Sequence, residues 1–158
     1  QPHSRFVNFK YFFEDNLIFF SNYESHKAQN FIDNDKVCIN FWWPNIEVQV
    51  RIEGTISKCE EKFSDEHFQG RKPEKNVAAL VSEQSKKIES YDLLKQKYEA
   101  MKERIENGDY SHSRPDNWGG YQIKVHFFEF WEANDDRLNY RECYEKDNES
   151  WSKYFLQS

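Results

Sequence analysis

Near the end of the chain a tryptophan, Trp131 in Glu129-Phe130-Trp131, stands close to two arginines, Arg137 and Arg141 in Arg137-Leu138-Asn139-Tyr140-Arg141. A flat indole can stack on a planar ligand and guanidinium forks can grip phosphate, so the trio suits a planar anionic molecule. An aromatic strand is expected to enter the polar turn Glu132-Ala133-Asn134-Asp135-Asp136, with a second strand leaving it. Arg137 and Arg141 lie an even number of residues apart, which in an extended chain points both to one face. A hairpin with a core tryptophan and two solvated arginines is the commoner arrangement of such residues.

Other cations could serve the same anion. Lys27 falls in the first turn of an expected helix, where it opposes the helix dipole unless an anion binds nearby; a solvated lysine is the commoner case. Gly70-Arg71-Lys72-Pro73-Glu74-Lys75 reads as a basic loop, able to hold a phosphate or to lie in solvent. Ser82-Glu83-Gln84-Ser85 offers hydroxyl and amide donors.

These groups must be positioned by strands and helices. Ser4 to Phe13 and Leu17 to Asn22 read as a hairpin about Glu14-Asp15-Asn16. A short helix from about Ser25 places Ala28, Phe31 and Ile32 on one face. Lys36 to Trp43 is a strand stopped by Pro44. From Glu47 to Ser57, Val48, Val50, Ile52 and Ile56 alternate with polar residues, so Gln49 and Arg51 lie on the polar side of a strand with one buried face. Ser64 is a candidate cap for a short helix reaching Gln69, and Val77, Leu80 and Val81 mark another. Ser90 caps the longest helix, striped by Leu94, Tyr98, Met101 and Ile105 and ended by Asn107-Gly108.

After Trp118-Gly119-Gly120, Tyr121, Ile123, Val125 and Phe127 alternate. Phe128 and Phe130 then change register, which predicts a bulge or corner near Phe127. Asn139 to Glu145 and Trp151 to Gln157 close the β-section around a turn over Lys146-Asp147-Asn148-Glu149. β-Segments with helices inserted between them predict a mainly β, antiparallel barrel with peripheral helices rather than a parallel α/β sheet.

Composition bounds the function. With 158 residues, one domain is expected. A charged fraction of 32% and a mean hydropathy of -1.03 approach those of disordered chains, but 18% aromatic residues indicate a folded core. A net charge of -6 argues against a nucleic-acid surface, so anion binding needs a local basic pocket. No apolar run approaches a membrane span and no signal peptide is visible. The chain opens at Gln1 without methionine, so a missing N-terminal piece is expected. Cys38, Cys59 and Cys143 are odd in number and lack metal-site spacing, which suits a reducing cytoplasm and leaves one disulfide open. His3, His26, His67, His112 and His126 form no recognisable metal set, and no metal is expected. GxGxxG, Walker A and GxSxG patterns are absent.

Taken together, QPHSRFVNFK, SNYESHKA, QVRIEG, HFQGRK, VSEQS, WGGY, EFW and RLNYR resemble the FMN-dependent pyridoxamine 5'-phosphate oxidases, nearly end to end and in that family's order and spacing. The resemblance implies the FMN-binding split β-barrel, a homodimer, and FMN at the subunit interface. It places FMN against Arg5, Phe6, Val7, Asn8, Phe9 and Lys10, then Phe20, Ser21, His26 and Lys27. Gln49, Gln84, Ser85, Trp131 and Arg141 complete that set. Arg5, Lys27 and Ser85 are implied at the flavin phosphate, and Gln49 at the ring. The substrate side takes Lys10, His67, Arg71 and Lys75, with Arg137, Leu138 and Asn139; Arg137 and Asn139 are the implied catalytic pair. The implied reaction moves hydride from C4' of pyridoxamine or pyridoxine phosphate to flavin N5, followed by reoxidation with dioxygen to hydrogen peroxide.

The chain departs from that family's pattern mostly on the substrate side. His26 stands where the family has an arginine, and RLHDR becomes RLNYR, so a histidine and an acid are replaced by Asn139 and Tyr140. His67, Lys75 and Asn139 occupy positions that usually hold tyrosine, serine and histidine. Such a pattern fits a slow oxidase or a flavin-binding relative that has changed its substrate; the alternative function is a non-catalytic protein that binds FMN, pyridoxal phosphate or both.

Overall fold

A computed structural model describes residues 2–110 and 113–158. Gln1, with the expectation drawn from it, and His112 lie outside the described residues. Among the described residues, seven strands and four helices follow one another as β1 Phe9–Phe13, β2 Asn16–Asn22, α1 His26–Asp33, β3 Lys36–Trp43, β4 Val48–Lys58, α2 Glu61–Gly70, α3 Pro73–Val81, α4 Tyr91–Glu106, β5 Trp118–Glu132, β6 Tyr140–Asp147 and β7 Ser150–Phe155. The strands hydrogen-bond in the order β1-β2-β5-β4-β3, with β6 on β5 and β7 on β6. The β3–β4, β5–β6 and β6–β7 pairs are antiparallel. Among the described residues, no helix is long and apolar enough to cross a membrane.

The chain groups into two compact units. One comprises the residues up to Lys10, Ile18–Asn34 and Lys58–Gln122; the other comprises Tyr11–Leu17, Asp35–Ser57 and Ile123–Ser158.

The first unit carries all four helices. Phe68 and Val77 are fully buried, and Phe19 stacks on Tyr121 at 5.6 Å. Ser64 is not the cap of α2: the helix starts at Glu61, and Ser64 is buried within it. Its hydroxyl instead accepts the Gly120 N–H at 3.0 Å, satisfying a backbone donor that would otherwise be buried without a partner. A Cβ on Gly120 would sit 2.8 Å from the Cys59 sulfur and 3.1 Å from the Phe20 ring, so the close approach of Cys59 and of β2 requires glycine there. Ile32 is 75% exposed, against expectation. Lys27 is buried with Ala28, which turns the inner face of α1 toward Lys27 and Phe31 and leaves Ile32 on the rim. Pro73 opens α3 and draws Lys75 into the helix, so the basic loop shortens to Arg71-Lys72. The Ser90 hydroxyl caps α4 as expected, accepting the Leu93 N–H at 3.1 Å.

The second unit is sheet. Val48, Val50, Ile52 and Val125 form its buried centre, with Ile39, Phe41, Phe128 and Phe130 packed against it. On the β6 side no bulge interrupts the strand near Phe127: β5 pairs with β6 continuously from Phe127 to Glu132. Burial keeps alternating through Glu129, which takes an inward position because arginines neutralise it. Arg137 is not in a strand. It has a left-handed φ of 65°, its N–H donates to the Asn134 carbonyl at 3.0 Å, and β6 begins only at Tyr140. Even spacing therefore does not put Arg137 and Arg141 on one face. The last turn tightens to Asn148-Glu149, with Asp147 paired to Ser150. At the other end β1 begins at Phe9, so Ser4 to Asn8 lie outside the strand. The three cysteines are free, Cys59 and Cys143 buried and Cys38 exposed.

Candidate functional site

The first unit carries a half-open cavity of about 260 Å³. Lys27, Ser21 and Gln84 line it together. The ammonium of Lys27, only 7% exposed, donates to the Ser21 hydroxyl at 2.8 Å and lies 3.5 Å from that of Ser25. Ser21 in turn donates to Gln84 Oε1 at 3.0 Å, which also accepts the Asn22 N–H. Lys27 makes no ion pair among the described residues, so a cation is held under the cavity by hydroxyls alone. Burial, followed by the nearby charge of Arg5, pulls its pKa below the ordinary lysine value.

An aromatic column forms another wall. Phe20 stacks on the His67 imidazole at 3.6 Å and on Trp118 at 5.3 Å. The Arg71 guanidinium lies 5.0 Å above the Trp118 ring and donates through Nη2 to the Lys75 carbonyl at 2.5 Å. Its Nη1 is buried without a hydrogen-bond partner. Burial, with Arg71 and Lys10 close by, lowers the His67 pKa to about 4, so the ring is neutral at pH 7. Burial also lowers that of Arg71. Arg114 fixes the start of β5, binding Asp65 through Nε at 2.6 Å and the Trp118 carbonyl through Nη1 at 2.6 Å.

Phe6, Val7, Asn8 and Lys10 complete the lining, and no lining residue is acidic. The cavity thus gathers ten residues expected from the sequence, from both the cofactor and the substrate sets, and adds Trp118. Trp118 was read from sequence only as a strand opener; its place in WGGY before two glycines was the available signal. Arg5, Phe9, His26, Ser85 and Lys75 belong to the same unit but do not line the cavity. His26 is exposed and meets His3 edge-on at 4.6 Å, and Ser85 holds a φ of 75° beside Gln84. The Lys75 carbonyl, through Arg71, is its connection to the site.

Gln49, Trp131, Arg137, Leu138, Asn139 and Arg141 belong to the second unit. Trp131 pairs across the sheet with Arg141. Arg141 donates through Nε to Glu129 Oε1 at 2.6 Å, and Arg51 Nε donates to Oε2 of the same carboxylate at 2.7 Å. Glu129 is 3% exposed. Burial pushes its carboxyl pKa up, but the hydrogen bonds and charges of the two arginines outweigh this and hold it below the usual range. Asn139 Oδ1 accepts the Asn134 N–H at 3.2 Å, which ties it into the turn. Arg137 and Leu138 are exposed.

Residues 1–104 match the family model described as pyridoxamine 5'-phosphate oxidase, and residues 118–158 match the pyridoxine 5'-phosphate oxidase C-terminal dimerisation region. The pyridoxine/pyridoxamine 5'-phosphate oxidase of Colwellia psychrerythraea is 37% identical over 156 residues, 99% of this chain and 71% of that one. A second such oxidase, number 2 of Hydrogenovibrio crunogenus, is 39% identical over 156 residues, 99% and 72% of the two chains. Among solved structures, PhzG from Burkholderia lata, in complex with tetrahydrophenazine-1-carboxylic acid, superposes with a TM-score of 0.86 at 26% identity, covering 99% of this chain and 75% of that one. A pyridoxamine 5'-phosphate oxidase-related, FMN binding protein from Nostoc punctiforme shares the fold, with a TM-score of 0.76 at 16% identity over 100% of this chain and 81% of its own.

Proposed function

Because the chain belongs to the pyridoxamine 5'-phosphate oxidase family, with the split-barrel fold, we propose that it is an FMN-dependent oxidase of phosphorylated B6 vitamers. Pyridoxine 5'-phosphate and dioxygen would give pyridoxal 5'-phosphate and hydrogen peroxide; the amine substrate also consumes water and releases ammonia. The observation that carries this reading is the cavity itself. A chain of net charge -6 builds one wall from a buried, acid-free lysine and another from a half-buried arginine with one buried, unpartnered nitrogen. Two cations at that cost to solvation fit two phosphate groups, one on the cofactor and one on the substrate.

The residues take roles that follow from their chemistry. Lys27, with Arg5 and Ser85, holds the flavin phosphate, and Ser21 and Gln84 orient the Lys27 ammonium. Arg71, Lys10 and Arg137 hold the substrate phosphate, with Trp118 and His67 as a flat, neutral wall for its ring. FMN, when bound, supplies the two-electron acceptor that dioxygen regenerates. The protein contributes position, charge and exclusion of water. Gln49, Trp131 and Arg141 act from the second unit, in a homodimer with FMN at the subunit interface. The apolar groove of Phe128, Phe130, Tyr144 and Trp151, within the stretch matching the dimerisation region, supports a partner copy.

Colour and bleaching test this reading. Purified protein should carry a flavin spectrum, and pyridoxamine 5'-phosphate added without oxygen should bleach it. A second reading has its own support: Asn139 is tied to the turn through Oδ1 and replaces a histidine, as in a weakened or non-catalytic relative that binds FMN or pyridoxal phosphate. Flavin that is bound but does not bleach would favour that relative.

A further inference from the structure

We infer that Glu129 is a positioning residue for FMN binding: it orients the Arg141 guanidinium and leaves part of it free for the ligand. The inference rests on the functional reading above, in which Arg141 meets FMN. Each oxygen of the Glu129 carboxylate serves a different arginine. Oε2 takes Arg51 Nε at 2.7 Å, and Oε1 takes Arg141 Nε at 2.6 Å and Nη2 at 2.5 Å. The carboxylate cannot rotate toward either arginine without abandoning the other. Arg51 is itself braced by Glu53 and by the Phe127 ring, 4.7 Å from its guanidinium carbon. The Gln157 carbonyl takes Arg141 Nη1 at 3.0 Å. A guanidinium has five N–H donors, so these contacts occupy part of the fork and leave the rest of its outer edge for an anion. Burial makes this exacting: with Glu129 at 3% exposure, the pair is held in one geometry rather than averaged by solvent.

The test is FMN titration of the apoprotein, followed by quenching of flavin fluorescence. Glu129→Gln keeps the shape and one acceptor but removes the charge; Arg141→Lys removes the fork. Each should weaken FMN binding by roughly ten- to a hundredfold. The double variant should bind no more weakly than Arg141→Lys alone, because Glu129 acts only through Arg141. Combined with Lys27→Met, in the other unit, the Glu129→Gln loss should multiply. If Glu129→Gln does not fold, Glu129→Asp keeps the charge, withdraws it by one methylene, and should lose affinity only while Arg141 is present. Losses that multiply between Glu129→Gln and Arg141→Lys would overturn the inference, as would a lower melting temperature with unchanged affinity. If Arg141→Lys binds FMN like wild type while Lys27→Met does not, this inference falls and the oxidase reading stands. A wild-type protein that binds no FMN overturns both.

Discussion

The His67 imidazole lies parallel to the Phe20 ring, with centroids 3.6 Å apart and planes 8° from coplanar. Burial and the charges of Arg71 and Lys10 hold it neutral, with a pKa of about 4. An unfolded histidine titrates near ~6.5, so between those values the unfolded chain binds a proton that the native chain does not. Stability should therefore rise with pH through this window and fall on acidification from about 6.5 toward 4. Between pH 7 and 5 the loss from this group should be on the order of 1–2 kcal/mol. His67→Phe, which keeps the stack, should remove that part of the acid slope. Denaturant melts of both proteins at the two pH values measure it; equal slopes would assign the acid sensitivity to other groups.

Lys27 sits on two hydroxyls with no acid beside it, an arrangement costly to the ligand-free protein. Lys27→Met should leave the stability of the apoprotein unchanged or raise it by up to ~1 kcal/mol. FMN affinity should fall by roughly a hundredfold. Urea melts without ligand and flavin titrations separate the two effects. A large loss of apoprotein stability would mean that the lysine is structural.

FMN retention should depend on the dimer, because the proposed function puts FMN at the subunit interface and residues 118–158 match a dimerisation region. Dilution to the point of dissociation, followed by sedimentation and flavin fluorescence together, should release FMN as monomer appears. Monomer holding FMN at full affinity would exclude an interface site.

If the proposed substrate site holds, Asn139→His with Tyr140→Asp should restore a hydrogen-bonding, titratable group to it. Losing one aligned group typically costs a few kcal/mol of transition-state stabilisation, roughly a hundredfold in rate. The restored variant should thus reduce flavin faster, with little change in pyridoxal phosphate binding. Anaerobic single-turnover reduction checks it. Rates equal to the parent would favour the non-catalytic relative.

The amino-acid sequence alone determined the elements whose signal is local. Period-two alternation from Val48 to Ile56 read directly as β4, Pro44 ended β3 after Trp43, and Ser90 and Gly108 bounded α4, because pleat, cap and left-handed turn are properties of neighbouring residues. Most cavity-lining residues were also legible, through motifs that the chain shares with its family. Tertiary structure decided whatever depended on a distant partner. Glu129 looked like a break in the β5 pattern because a carboxylate does not mark a buried face; its partner Arg51 stands 78 residues earlier in the chain and neutralises it. The burial of Lys27 over the hydroxyls of Ser21 and Ser25 was not legible from its own position, where a solvated lysine was the commoner local case and only the family resemblance marked it as a phosphate ligand. Arg137 was read as strand because spacing cannot report a φ of 65°, which the hydrogen bonds of Asn134 to Arg137 and Asn139 hold in place. Desolvation and pairing energies arise only when residues far apart in sequence meet, and they placed these three side chains.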